Sequence, residues 1–456
     1  MSVPASLQKK MTTHKTHSNY SVANGQEAGA GRSRSTLMRV AITAALTVLP
    51  VLADAPVQLI SIRQVVDGIY ESIYSVRTGN GAYDRIQLHR VVKQERDEPR
   101  ETKKAVMLVH GDVWGFDAAF MPAESHEHSL PVYLARQGAD VWGVDRAWTL
   151  VPQSTTDFAF MRDWGLQHDI DDVSAALDTA QKIRKDHARF AVLGWSRGAW
   201  ILYGLVNEEA KRPCGRRRVK GAIPFDGAFK FSDPGAVAFV CGQAAALEAS
   251  LDAGQFASDF TVWPPLGSLA EEHPDDPSPL LGPRFTNRQA ALQIGAAVFA
   301  LFGPSFTPQY HFVAGIFPND DVTQIPTGLR YTDLSRFTQL ARAASPYAPS
   351  RMLRDTYRIS CESGPAGPFD DSLGAVRIPV LYVGARGGFG ASGFATLNLL
   401  GSIGKETLFV SLRPQNEPGL DFGHVDLLHA RNAQELVWSG VDRWLTAHAG
   451  EDECER

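Results

Sequence analysis

Apolar residues fall along this chain in two rhythms. Between residues 105 and 225, short apolar runs alternate with amphipathic stretches. Ala105–Val109 (AVMLV) stops at His110-Gly111 and predicts a short strand buried on both faces. Leu130–Gln137 predicts a short helix and Asp140–Val144 the next strand. In Asp169–Lys185 the residues Ile170, Val173, Leu177 and Ala180 recur at spacings of three and four, the stripe of an amphipathic helix. Phe190–Leu193, Arg197–Asn207 and Gly221–Phe225 then read as strand, helix and strand. This alternation predicts an α/β fold with a mostly parallel central sheet flanked by helices.

After Asp226 the rhythm breaks. Helical stretches near 235–253, 286–302 and 329–344 are separated by proline-rich loops, among them Trp263-Pro264-Pro265. That pattern predicts a helical cap or lid inserted over 227–374. Strands resume at Ile378–Gly384 and Thr407–Leu412, and a helix near 433–447 closes the chain with Val437, Val441, Trp444 and Leu445 on its buried face. The core domain is therefore expected over 56–226 and 375–450.

Residues 1–55 read as an address. The first 39 hold six Lys or Arg against the single acidic residue Glu27, and the apolar run Val40–Ala53 follows. That run is shorter than the ~20 residues a membrane-spanning helix needs. It matches a secretory signal, so a secreted or periplasmic protein without a stable membrane span is expected, an uncleaved anchor being the alternative. A start at Met38 would leave the first 37 residues as an extension. Export permits disulfides among Cys214, Cys241, Cys361 and Cys454, whose pairing the sequence does not give. No pair has metal-ligand spacing, and no metal is expected. With 44% hydrophobic residues, 21% charged residues and a net charge of -5, the chain is globular and has no basic excess to bind nucleic acid.

Gly194-Trp195-Ser196-Arg197-Gly198 is the only G-x-S-x-G in the chain. It follows a predicted strand and opens an apolar helix, the strand–turn–helix setting of a nucleophile elbow. An N-cap serine between turn glycines is the plainer reading. A serine hydroxyl needs a base, and the base a carboxylate to orient it. His424, between the last strand and the last helix, is the best-placed base. His110, His126, His128, His168, His187, His273 and His311 read as structural or surface groups, and His126-Glu127-His128 as no metal site.

The arrangement resembles the α/β-hydrolase superfamily over roughly residues 100–450. The matching residues are the His110-Gly111 turn, the elbow at 194–198 and Gly423-His424, and Gly138–Gly143 is similar to a segment of acid-lipase-type enzymes. The resemblance implies a Ser–His–carboxylate triad and an oxyanion hole of backbone amides, those of Arg197 and of Asp112 or Val113. The Asp112 side chain is expected to point away from the oxyanion. Trp114, Phe116, Trp148 and Trp195 are candidates for an apolar acyl pocket, with core packing as the alternative. One departure stands out. The family's usual acid would follow Ile378–Gly384, where this chain has Ala385-Arg386-Gly387-Gly388-Phe389-Gly390. Asp226, which ends the preceding strand of the core, is the expected replacement; Asp421, Asp426 and Glu417 compete.

Gly388-Phe389-Gly390-Ala391-Ser392-Gly393 fits a dinucleotide fingerprint, but only one strand follows it, so no nucleotide cofactor is expected. The expectation is thus a cofactor-free serine esterase or lipase acting on a small-molecule or lipid ester, with activity falling as the imidazole protonates, near pH ~6.5 for an unperturbed histidine. Acyl transfer, amide hydrolysis and a non-catalytic binding role are the alternatives.

Overall fold

The computed structural model describes residues 56–95, 98–99, 102–122, 126–186, 188–297, 310–362 and 367–450. The leader assigned to 1–55, His187 and Cys454 lie outside them. The main sheet is built from β1 (Val57–Val66), β2 (Ile69–Arg77), β3 (Arg85–Glu95), β4 (Ala105–Val109), β5 (Asp140–Asp145), β6 (Phe190–Trp195), β7 (Val219–Phe225), β8 (Val380–Ala385) and β9 (Lys405–Val410). Their order across the sheet is β1-β2-β3-β5-β4-β6-β7-β8-β9, with the two-residue strand Glu98–Pro99 on β3.

Strands β4 to β9 pair in parallel; β4 to β8 are buried, which is why they read as unbroken apolar runs, whereas the edge strand β9 is mostly exposed. β1, β2 and β3 form an antiparallel meander that the apolar pattern did not mark. β1 is almost wholly exposed, so it carries no clean alternation, and Asp67-Gly68, with Gly68 at φ 69, turns the chain into β2.

Helices α1 (Leu130–Arg136), α2 (Leu166–Arg184) and α3 (Arg197–Lys211) join the parallel strands. Between β7 and β8 lie α4 (Pro234–Asp252), α5 (Trp263–Glu272), α6 (Asn287–Ala296), α7 (Leu334–Arg342) and α8 (Ser350–Cys361), and α9 (Ser439–Ala447) ends the fold. Two of these differ from the sequence pattern. Trp263-Pro264-Pro265 is the start of α5, not a loop, because proline is tolerated in the first helical turn, where its missing N–H has no intrahelical partner to lose. The 286–302 stretch is helical only to Ala296 among its described residues. α4 is long and apolar enough to cross a membrane by length and composition. It nevertheless buries Ala236, Val240 and Leu247 in the molecule, and its Cys241 is disulfide-bonded to Cys361 of α8, with Cα atoms 4.8 Å apart. Sheet and inserted helices share one apolar core.

Buried charges fasten the antiparallel part of the sheet to the parallel part. His89 on β3 places Nδ1 2.8 Å from Glu71 of β2 and Nε2 3.0 Å from Asp145 at the end of β5. Burial alone would lower this imidazole, but the hydrogen bonds and charges of Asp145 and Glu71 outweigh it and push His89 up to about 10. A group protonated more tightly when folded than when unfolded stabilises the fold most below its unfolded pKa, and the contribution fades as pH rises through the folded one. Conformational stability is therefore expected to decline between pH about 6.5 and 10. Urea unfolding across that range should show the slope in wild type and a shallower one in His89→Gln.

Candidate active site

The parallel strands bring their carboxyl ends to one edge, and the chemistry collects there. Ser196 follows β6, with its N–H donating to the Phe225 carbonyl at 2.9 Å. Asp226 follows β7, with its N–H donating to the Val383 carbonyl at 2.7 Å. The loop after β8 bridges in parallel to the segment carrying His424 through Gly387 and Gly423.

Ser196 has φ 57 and ψ -123, a left-handed backbone that a serine adopts only when its surroundings enforce it. The enforcement comes from close packing. A Cβ at position 194 would lie 2.2 Å from the Gly198 carbonyl oxygen, and one at 198 would lie 2.2 Å from that of Val109. Only hydrogen atoms fit between β6, α3 and β4, and the chain must turn sharply at 196.

His424 Nδ1 lies 2.6 Å from Asp226 Oδ2. The imidazole stacks on Trp195 with ring centroids 5.0 Å apart, and Tyr310 and Phe389 flank it at 5.5 and 5.6 Å. Its Nε2 is buried without a hydrogen-bond partner, and no bond joins it to Ser196 Oγ. Such contacts are often long in enzymes without bound substrate.

The other acids are occupied elsewhere. Asp421 accepts from the N–H groups of Leu412, Arg413 and Phe422, holding the exit of β9. Asp426 accepts from Ala314 and Gly423 N–H and from the Thr332 hydroxyl, and Glu417 pairs with Arg413.

Asp226 lies against the segment after β8, where the sequence has no acid. Its Oδ1 accepts from Ala385 N–H at 3.0 Å and Gly390 N–H at 3.1 Å, and its Oδ2 from Phe389 N–H at 3.2 Å. The loop donates amides to a carboxylate arriving from the neighbouring strand. A Cβ at 388 would lie 1.9 Å from Asp226 Oδ2. In this way the fingerprint-like glycines wrap an aspartate.

Asp112 is buried, and its carboxylate grips Arg197: Nε lies 3.1 and 3.2 Å from Oδ1 and Oδ2, and Nη2 3.1 Å from Oδ2. Arg197 also donates to the Thr356 hydroxyl on α8 and lies over the rings of Trp200 and Tyr357. Burial alone would raise the Asp112 carboxyl, but the Arg197 charge overrides it and holds the group well below the usual carboxylate range. The side chains of the two expected oxyanion-hole residues are thus bound to each other. The Arg197 N–H, first in α3, has no intrahelical carbonyl to donate to.

The four aromatic candidates part company. Trp195 carries the imidazole, and Trp114 packs on Trp195, Trp263 and Phe312. Phe116 instead packs on His89 and Phe120, and Trp148 lies beside His110 and under Arg146, both in core positions. Tyr310, Phe312 and Trp263 come from the inserted region and Phe389 from the loop after β8. No periodicity along the chain marks them. The segment at 310–313 threads between the loops: His311 N–H donates to the Gly387 carbonyl, and the His424 and Val425 N–H groups donate to the carbonyls of His311 and Phe312. Ser196 is 2% and His424 1% exposed, so the serine is not the open group that a sharp bend alone predicts. No metal or cofactor is implied by this donor set. Among the described residues, Glu71-His89-Asp117 and His168-Asp169-Asp172 are the clusters with metal-compatible spacing, and Arg63, Asp145 and Arg146 already engage their members.

Similarity to solved structures follows this geometry. A candidate lipase from Sulfolobus solfataricus superposes with TM-score 0.57 at 18% identity, over 86% of this chain and 99% of its own. The chain has the α/β-hydrolase fold. A thermostable carboxyl esterase from Bacillus coagulans (12% identity, 87% and 100% covered, TM-score 0.42) and a monoglyceride lipase from Saccharomyces cerevisiae (12%, 81% and 94%, 0.45) are more distant. No family model matches the sequence, and no curated protein matches it. Within this α/β-hydrolase fold, Asp112→Asn leaves the Arg197 guanidinium buried without its countercharge, a loss of about 3–5 kcal/mol. Urea unfolding should show that loss as a lower midpoint.

Proposed function

We propose that the chain is an exported serine hydrolase that cleaves carboxylic esters through an acyl-enzyme on Ser196. The observation that carries the reading is the 2.6 Å contact of His424 Nδ1 with Asp226, made by an imidazole stacked on the residue before Ser196. In this mechanism Asp226 fixes the ring so that Nε2 is left to accept the serine proton. Ser196 Oγ attacks the carbonyl carbon, and the oxygen that gains charge is held by the N–H groups of Arg197 and Asp112. His424 returns the proton to the leaving alcohol, and water repeats the sequence to release the acid.

The aromatic surroundings from Trp114, Trp195, Tyr310 and Phe312 favour an apolar ester. Export is supported by the basic leader with its apolar run and by the Cys241–Cys361 disulfide, a bond of oxidising compartments. The burial of Ser196, which limits the access of bulk water, favours acyl transfer to an alcohol as the second reading; product analysis with water and with alcohol acceptors separates the two.

A fluorophosphonate probe should label wild type and not Ser196→Ala. Labelling of neither would point to a non-catalytic binding protein. With nitrophenyl esters of increasing chain length, Asp226→Asn should lower kcat on the order of 10⁴-fold, whereas Asp421→Asn should stay near wild type. Protonated His424 cannot accept the serine proton, so activity should fall as pH drops and level off above. A rate that is flat from pH 8 down to 4 would contradict the base role.

A further inference from the structure

Arg146, which follows β5, is completely buried, and its partners are unusual for an interior arginine. Nη1 donates to Asp169 of α2 at 2.7 Å. Nη2 donates to the Gly111 carbonyl at 2.6 Å, lies 3.3 Å from the His110 carbonyl and is 3.1 Å from His110 Nδ1. The guanidinium sits over Trp148, with Cζ 5.2 Å from the ring centroid. Burial and then the Arg146 charge push the His110 imidazole down to about 3, and its Nδ1 also lies 2.9 Å from the Gly111 carbonyl oxygen, so imidazole and guanidinium converge on the same acceptor.

The Gly111 carbonyl belongs to the same planar unit as the Asp112 N–H. In a trans peptide these two groups point in opposite directions, and the described chain has no cis bond. An arginine that holds the carbonyl therefore aims the amide. Gly111 also borders the serine: a Cβ on it would lie 2.8 Å from Ser196 Cβ and 3.3 Å from Oγ. The rest of the loop is pinned as firmly. The Val113 carbonyl accepts from Ser345 N–H at 2.6 Å, Trp114 Nε1 donates to the Leu340 carbonyl at 2.8 Å, and Val113 is held at φ 55, a strained value for a β-branched residue.

We infer that Arg146 is a positioning residue: anchored by Asp169, it fixes the Gly111–Asp112 peptide plane so that the Asp112 N–H faces the carbonyl oxygen of a substrate on Ser196. The inference rests on the serine-hydrolase reading. Arg146 touches no reacting atom and acts through the peptide it grips. Lysine keeps the charge that Asp169 needs but lacks the planar fork that reaches both acceptors at once.

The test is Arg146→Lys with a nitrophenyl ester and with a trifluoromethyl ketone, which forms a tetrahedral oxyanion on the serine. An oxyanion donor is worth about 100-fold or more in kcat. Arg146→Lys is expected to lose about that factor in kcat, to keep KM within about twofold, and to lose affinity for the ketone in proportion to kcat/KM while product-acid affinity is unchanged. A merely structural role would lower the unfolding midpoint without this parallel. If Arg146→Lys does not fold, Asp169→Asn releases the same guanidinium and should show the same proportionality. A folded variant with wild-type kcat and ketone affinity overturns the inference, as does a fall in kcat with no fall in ketone affinity. Full activity of Ser196→Ala would instead overturn the underlying reading, so the two failures are separable.

Discussion

The organisation of the site depends on how one carboxylate is held. Asp226 is wholly buried, and a buried charge of this kind is tolerable only if its lone pairs are met. Three backbone amides, one from the last residue of β8 and two from the loop after it, and one imidazole nitrogen meet them. This requirement fixes much else. The loop must bend around the carboxylate, position 388 must lack a side chain, β8 must run two residues past its pairing with the end of β7, and His424 must turn Nδ1 toward Asp226. Each of these is a local feature of the chain, and together they are one constraint.

A second set of interior charges makes the neighbouring loop rigid. Arg197 binds Asp112, and Arg146 binds Asp169, each arginine also reaching polar oxygen acceptors. Ion pairs in the interior gain little net stability over apolar packing of the same volume. What they do here is geometric. A guanidinium offers several donors in one plane, so it holds carboxylate and carbonyl at fixed relative angles in a way that leucine or phenylalanine does not.

The parts of this design that depend on neighbouring residues were legible in the sequence. The inner parallel strands, β4 to β8, showed because both their faces are buried, and Ser196 and His424 stood out because of where they stand relative to predicted strands and helices. Asp226 was singled out only through the absence of an acid after β8; its contacts with the amides there are non-local. The pairing of Cys241 with Cys361 is non-local in the same way, with 120 residues between them. The aromatic residues were ambiguous because an apolar side chain reads alike in a core and beside a reacting group. Phe116 and Trp148 went to the core, while Tyr310 reached the imidazole from a stretch with no periodicity. The α5 boundary was hidden because prolines that begin a helix look like prolines that end one.

The disulfide between α4 and α8 has a mechanical consequence. Two helices stapled together travel as a single plank, so the covering layer cannot peel away one helix at a time while the bond is intact. Because α8 also carries Thr356, which touches Arg197, tilting the plank would tug on the side chain of the residue directly after Ser196. Reducing agents would therefore alter how stiffly the roof is attached to the floor, and with it how faithfully motion above is felt below.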